Sequence, residues 1–159
     1  MEEAPWYENV VIPALLRHAR GTYGQAMRRA LTEAGYDDIP ANGLYIIGGL
    51  ALGDGGIPIG QLVRELRVTK QAAGQLVDTL VLRGYLDRTS DPDDRRKLIV
   101  TLTPRGRAAA ETQAAARDRI DAALATRVGP EDIAGARRTL AALIEIGRQD
   151  REQEAAAAS

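Results

Sequence analysis

Residues Gly60–Gly106 read GQLVRELRVTKQAAGQLVDTLVLRGYLDRTSDPDDRRKLIVTLTPRG, and this stretch restricts the possible folds most. Gln61–Leu66 has the length and apolar spacing of a short helix. Thr69 stands where a side-chain oxygen caps a helix start. Ala73, Leu76, Val77 and Leu80 then recur at helical spacing, so a second helix buries that stripe. Gly84 suits the left-handed residue that follows a helix end. Leu86–Thr89 and Lys97–Thr103 read as strands; in the second, Leu98, Val100 and Leu102 share one face and Lys97, Ile99 and Thr101 the other. Ser90–Asp94 between them carries turn chemistry. Helix, turn, helix, strand, turn, strand is the order of a winged helix-turn-helix.

The flanks read as helices. Val10, Val11, Ala14, Leu15, His18, Thr22, Tyr23, Ala26, Met27, Ala30 and Leu31 lie on one helical face, with Pro13 near its start and Gly35 placed to cap its end. Asp37–Pro40 is a turn, Ala41–Leu52 a buried helix, and Ile57–Ile59 at most a small edge strand. Thr103-Pro104 starts a helix, Thr as cap and Pro in the first turn, that runs to about Val128. Gly129-Pro130 breaks it, and Ile133, Ala136, Leu140, Leu143, Ile144 and Gly147 stripe the last helix. The tail Arg148–Ser159 either extends that helix or frays. The expected fold is mainly α with a small β-wing, one domain over 1–159. In it a winged helix-turn-helix module (41–103) is flanked by N- and C-terminal dimerisation helices (8–34 and 104–150). One small core does not readily hide these outer stripes, so burial against a second copy is expected.

Composition narrows the chemistry. The chain of 159 residues is 45% hydrophobic but has no Phe, so Leu, Ile, Val and Ala fill its core. It has no Cys and one His, His18. Disulfides, thiolate zinc sites and cysteine redox chemistry are excluded, a histidine metal cluster or catalytic triad is disfavoured, and no cofactor is expected. No apolar run approaches the roughly 18 residues of a membrane span, and the acidic N-terminus lacks a signal-peptide core, so a cytoplasmic protein is expected. Net charge is −1. Between Gly60 and Arg107, however, ten Lys/Arg meet six Asp/Glu, a local +4 against −5 in the remainder. Distribution matters more than the sum for a nucleic-acid partner.

Those charges fall where such a module meets double-stranded DNA. With Ala73 and Leu76 inward, Lys70, Gln71, Gly74 and Gln75 face outward behind Thr69, the end of a recognition helix that touches base edges. Gln pairs with adenine and Lys donates to guanine; Gly74 permits close backbone approach. At the wing tip, Arg95, Arg96 and Lys97 suit phosphate or the narrow minor groove. Asp94 beside them would repel phosphate, so its expected task is to orient Arg96 or cap the turn. Arg64, Arg67 and Arg88 complete the expected contacts.

The pattern Asp94-x-Arg96 followed by Leu102-Thr103-x-x-Gly106 resembles that of the MarR (multiple antibiotic resistance regulator) family. Leu76-Val77-Asp78-x-Leu80 and Arg83-Gly84-Tyr85-Leu86 are similar to the family too, and the helical order extends the likeness over nearly the whole chain. The resemblance implies a homodimer on a pseudo-palindromic operator, usually a repressor, with Arg96 in the minor groove and the Thr69 helix in the major groove. It also implies release by a small, often aromatic or phenolic, effector bound between the dimer helices and the wing module. The peroxide-sensing branch of the family uses Cys and is excluded. Candidate effector residues are His18, Thr22 and Tyr23 on the first helix and Tyr45 on the second.

The expected function is therefore a sequence-specific DNA-binding transcriptional regulator, not an enzyme. The competing reading is an architectural or protein-binding winged helix without an effector. Catalysis by Asp93, Asp94 and Glu131 is a distant third, because no nucleophile, metal cluster or phosphate loop accompanies them.

Overall fold

The structure, a computed structural model, describes residues 5–53, 56–66 and 68–158. It divides into two compact units, Met1–Asp118 and Arg119–Ser159.

The first unit opens with a 3₁₀ turn, Trp6–Asn9, and helix α1, Ile12–Glu33, whose first turn accommodates Pro13. α2 (Gly43–Leu52) begins two residues later than the sequence suggests and buries Leu44, Ile46, Ile47 and Leu50. β1 is Ile57–Pro58, and Ile59 already belongs to α3 (Ile59–Leu66). α4 is Lys70–Leu82. The strands β2 (Leu86–Ser90) and β3 (Leu98–Leu102) follow, and α5 runs from Pro104 to Ala125, short of the expected Val128. All three strands are antiparallel in the order β1-β3-β2, with Ile57 opposite Val100 and Leu86 opposite Leu102.

The core gathers Leu31, Leu44, Ile46, Ile47, Leu50, Val77, Leu80, Leu86 and Val100 around one buried aromatic, Tyr85. α4 presents Ala73, Val77 and Leu80 to it, while Leu76 is only half-buried at its rim. Leu98, on the β3 face of Val100 and Leu102, is nevertheless 45% exposed, because β3 extends past the core towards the wing tip.

Two glycines fix how α4 is followed by α5. Gly84 has φ +76°, the left-handed turn that ends α4. Gly106 packs so closely that a Cβ there would lie 2.1 Å from the Tyr85 carbonyl oxygen. Thr103 joins the same corner. Its hydroxyl donates to the Gly84 carbonyl at 2.6 Å and accepts the Gly106 N–H at 3.0 Å, and its own N–H donates to the Tyr85 carbonyl at 3.1 Å.

In the second unit α6 spans Pro130–Ala157, so the tail extends the helix almost to its end. Arg148 reaches Glu145 and Glu152 one turn either side, at 2.7 and 2.6 Å, and the Ala-rich sequence favours helix beyond them. No residue of α6 is buried, and Leu140, Leu143, Ile144 and Ile146 are exposed. Towards the start of α1, Val11, Ile12, Leu15 and Leu16 are exposed in the same way. No helix among the described residues is long and apolar enough to cross a membrane.

Candidate nucleic-acid interface

Helix α4 is built to show one end. Thr69 has extended backbone, and its Oγ1 accepts the Ala72 N–H at 3.1 Å. That caps the first turn and leaves other N–H groups of the turn pointing outward at its positive pole. Lys70, Gln71 and Gln75 are exposed, Gln71 and Gln75 on the face away from Ala73 and Val77 and Lys70 at the first position of the helix. Apart from its chain neighbours and its own helix backbone, no atom would stand within 4 Å of a Cβ at Gly74, so this part of the helix is open to close approach.

The wing turn is held by its carboxylates. The Asp91 N–H donates to the Lys97 carbonyl at 2.9 Å and the Lys97 N–H to the Asp94 carbonyl at 2.8 Å, closing the loop. Asp91 Oδ1 accepts the Asp93 N–H at 2.9 Å. Asp94 Oδ1 accepts the Arg96 N–H at 3.1 Å and its Nε–H at 3.4 Å. Asp94 therefore both caps the turn and directs Arg96, whose side chain is 94% exposed.

Folding brings the two halves together. A groove of about 800 Å³ runs between α3, the start of α4 and the wing, and Arg64, Lys70, Arg96 and Lys97 line it, with Gln61 and Asp91. Four cations against one carboxylate give this groove a positive field, which low-dielectric walls concentrate. The remaining expected contacts lie elsewhere. Arg95 is exposed at the tip; Arg88, on β2, is ion-paired to Asp78 of α4, a partner that the sequence reading did not assign to it. Arg67 lies outside the described residues.

Of the candidate effector residues, only Tyr45 lines a cleft of about 420 Å³ beside α1. His18 meets the Trp6 ring edge-on at 4.8 Å, and Thr22 reaches back to the His18 carbonyl. Tyr45 lies under the Arg20 guanidinium, 4.4 Å from its ring centroid, and lines that cleft with Leu16, Arg17, Arg20 and Gly21. His18, Thr22 and Tyr23 are not part of that lining. A second cavity, of about 500 Å³, lies between α2, β3 and α5, walled by Leu50, Leu102, Ala110, Gln113, Arg107 and Arg117. Gln113 is 4% exposed; its Nε2 donates to the Leu44 carbonyl at 2.9 Å, and its Oε1 has no partner. The sequence reading missed this polar group, because a lone Gln in an Ala-rich helix carries no local signal. Among the described residues no cluster of His, Asp or Glu could hold a metal ion.

Residues 38–97 match the model of the MarR family, which bears out over that segment the likeness read in the motifs. RV1404 of Mycobacterium tuberculosis is 26% identical, with 91% of this chain and 96% of that one covered and a TM-score of 0.64. The transcriptional regulator Tm0710 of Thermotoga maritima is 25% identical over 87% of this chain and 94% of its own, with a TM-score of 0.57. FabT of Streptococcus pneumoniae, solved in complex with DNA, shares the fold at 20% identity, 87% and 96% coverage and a TM-score of 0.72. No curated protein matches the chain.

Proposed function

From the match of residues 38–97 to the MarR family model, we propose that this chain is a sequence-specific DNA-binding transcriptional regulator that acts as a homodimer on a pseudo-palindromic operator. The observation that carries the reading is the basic groove, in which Arg64 of α3, Lys70 of α4 and Arg96 and Lys97 of the wing face one space. A phosphate strand is the polymer that matches a row of cations beside an exposed helix N-terminus. Lys70, Gln71 and Gln75 then read base edges in the major groove, and Arg96 enters the minor groove. The fold is shared with FabT, itself solved with DNA bound. The exposed apolar residues of α1 and of α6 support a second copy as their cover.

The reading extends to repression relieved by a small aromatic ligand. Tyr45 with Arg20 in the α1–α2 cleft, and the cavity that Gln113 lines, offer apolar walls with a few polar groups, as ligand sites do. His18, Thr22 and Tyr23 remain candidates at the neighbouring face of α1.

The test is selection of duplexes from a random pool by the purified chain, followed by titration of the enriched sequence. The expected result is an inverted repeat whose half-sites are centred about one helical turn apart, 10–10.5 base pairs. Uniform affinity across the pool would instead favour an architectural role.

A further inference from the structure

Three segments far apart in the sequence meet at Tyr85. Its hydroxyl donates to Asp38 Oδ1 in the turn between α1 and α2. Arg105, in the first turn of α5, donates through Nη2 to Asp38 Oδ1 at 3.2 Å and to the Tyr85 oxygen at 2.9 Å. The Arg105 guanidinium also lies 4.4 Å from the Tyr85 ring centroid. Arg83, which closes α4, donates to the Asp38 backbone carbonyl. The Tyr85 ring, 0% exposed, packs edge-on against Tyr36 with centroids 6.2 Å apart.

A Phe at this position would bury the same ring, so the hydroxyl adds direction rather than apolar area. It donates to Asp38 and accepts from Arg105, and both partners are charged, so one arrangement satisfies all three groups. This cluster stands at the C-terminal end of α4, next to the corner that Gly84, Thr103 and Gly106 make with α5. The base-reading residues Lys70–Gln75 lie at the other end of a 13-residue helix. At about 1.5 Å per residue that lever is about 20 Å long, so a rotation of about 5° at the pinned end moves Lys70 by about 2 Å. In a two-fold dimer the two displacements together reach about 4 Å, more than the roughly 3.4 Å between successive base pairs.

We propose that Asp38, Tyr85 and Arg105 are positioning residues that fix the tilt of α4 and thereby set the half-site spacing that the dimer accepts. The proposal rests on the reading of the chain as a dimeric DNA-binding regulator.

The experiment titrates the parent, Tyr85→Phe and Arg105→Gln proteins with three duplexes. One is the sequence that the parent selects from a random pool; the others add or remove one base pair between its half-sites. Circular dichroism first establishes that each variant is folded; Arg105, at the surface, carries the test alone if Tyr85→Phe does not fold. The parent should prefer its selected spacing by about tenfold. Both variants should keep the same half-site sequence preference while their spacing preference falls by about threefold or more. An equal loss of affinity for all three duplexes, or an unchanged spacing profile, overturns the proposal, because it shows the cluster to be merely structural. A parent protein that selects no inverted repeat fails at the first step, and that outcome removes the regulator reading itself.

Discussion

Asp94 and Arg96 are joined twice: Asp94 Oδ1 accepts the backbone N–H of Arg96 at 3.1 Å and its side-chain Nε–H at 3.4 Å. An exposed ion pair contributes little by itself. The backbone bond matters more, because it holds the turn that presents Arg96. Asp94→Ala should therefore weaken operator binding although it removes a negative charge beside DNA. Losing one such bond costs about 0.5–1.5 kcal/mol, or about two- to tenfold in affinity if the turn loosens only in the variant. Gel-shift titration decides the matter: tighter binding by Asp94→Ala would mean that this carboxylate simply repels phosphate.

Arg96 and Arg88 should separate in a salt titration. Arg96 holds Asp94 only through its Nε–H, at 3.4 Å, and its side chain is 94% exposed, so its guanidinium can still neutralise a phosphate, and its replacement by Ala should reduce the slope of log K against log salt by about 0.9. Arg88 is tied to Asp78, so Arg88→Ala should leave the slope nearly unchanged. Equal slope changes in both variants would show that Arg88 leaves Asp78 for DNA.

The features legible in the sequence are the local ones. Thr69 caps the helix three residues on, Gly84 ends it, and Asp94 acts on a residue two positions away; residue type and spacing carry each of these. The Thr103-x-x-Gly106 pattern was visible, yet its reason was not, since the atom that forbids a side chain at Gly106 is the Tyr85 carbonyl. Asp38, Tyr85 and Arg105 meet only through the fold, as do Arg88 with Asp78 and Gln113 with the Leu44 carbonyl. How the candidate effector residues spread over the fold was hidden for the same reason. Helical spacing placed His18 and Tyr45 on neighbouring helices, but it carried no sign that Trp6 would take the His18 ring. The positive groove was half-legible: its cations could be counted in one segment, while the approach of Arg64 to Arg96 is tertiary.

Gly106→Ala should lower stability. The added methyl would stand 2.1 Å from a backbone oxygen and 3.0 Å from Leu102 Cδ2, and a backbone atom cannot turn aside as a side-chain tip can. Overpacking of this kind costs about 1–3 kcal/mol. Urea denaturation should show the loss as a lower midpoint. An unchanged midpoint would mean that the corner between β2 and α5 yields easily.

Tyr85 gives the alkaline limb of stability a direction. Burial, then the hydrogen bond to Asp38, pushes its hydroxyl from the ordinary 10.0 up to about 12, against a smaller opposing effect of Arg105. The folded state thus holds the phenolic proton more tightly than the unfolded chain does. Its contribution is complete below about pH 10 and is lost as pH rises from there through about 12. Melting temperatures of the parent and Tyr85→Phe proteins should differ most below pH 10, and the gap should close between pH 10 and 12. A gap that stays constant over that window would show that the hydroxyl titrates alike in both states.

The last prediction concerns assembly. Ile144 is 70% exposed on α6, beside exposed Leu140 and Leu143. Such apolar side chains on one helix form a face that water penalises, and burying one of them contributes about 1.5–3 kcal/mol. A symmetric partner uses each position twice, so one substitution removes two such contributions. Set against that gain are the lost freedom of two molecules and the ordering of side chains, which is why no single position holds a dimer together. Ile144→Asp goes further than removal, because it leaves an unpaired charge on each side of the contact. The parent should sediment at twice its 17.1 kDa mass at micromolar concentration, and Ile144→Asp should shift the equilibrium towards monomer by about 100-fold or more. Operator affinity should fall with it, since one half-site alone binds a single copy. A parent that sediments as a monomer refutes the dimer; an Ile144→Asp protein that remains dimeric places the contact on another face.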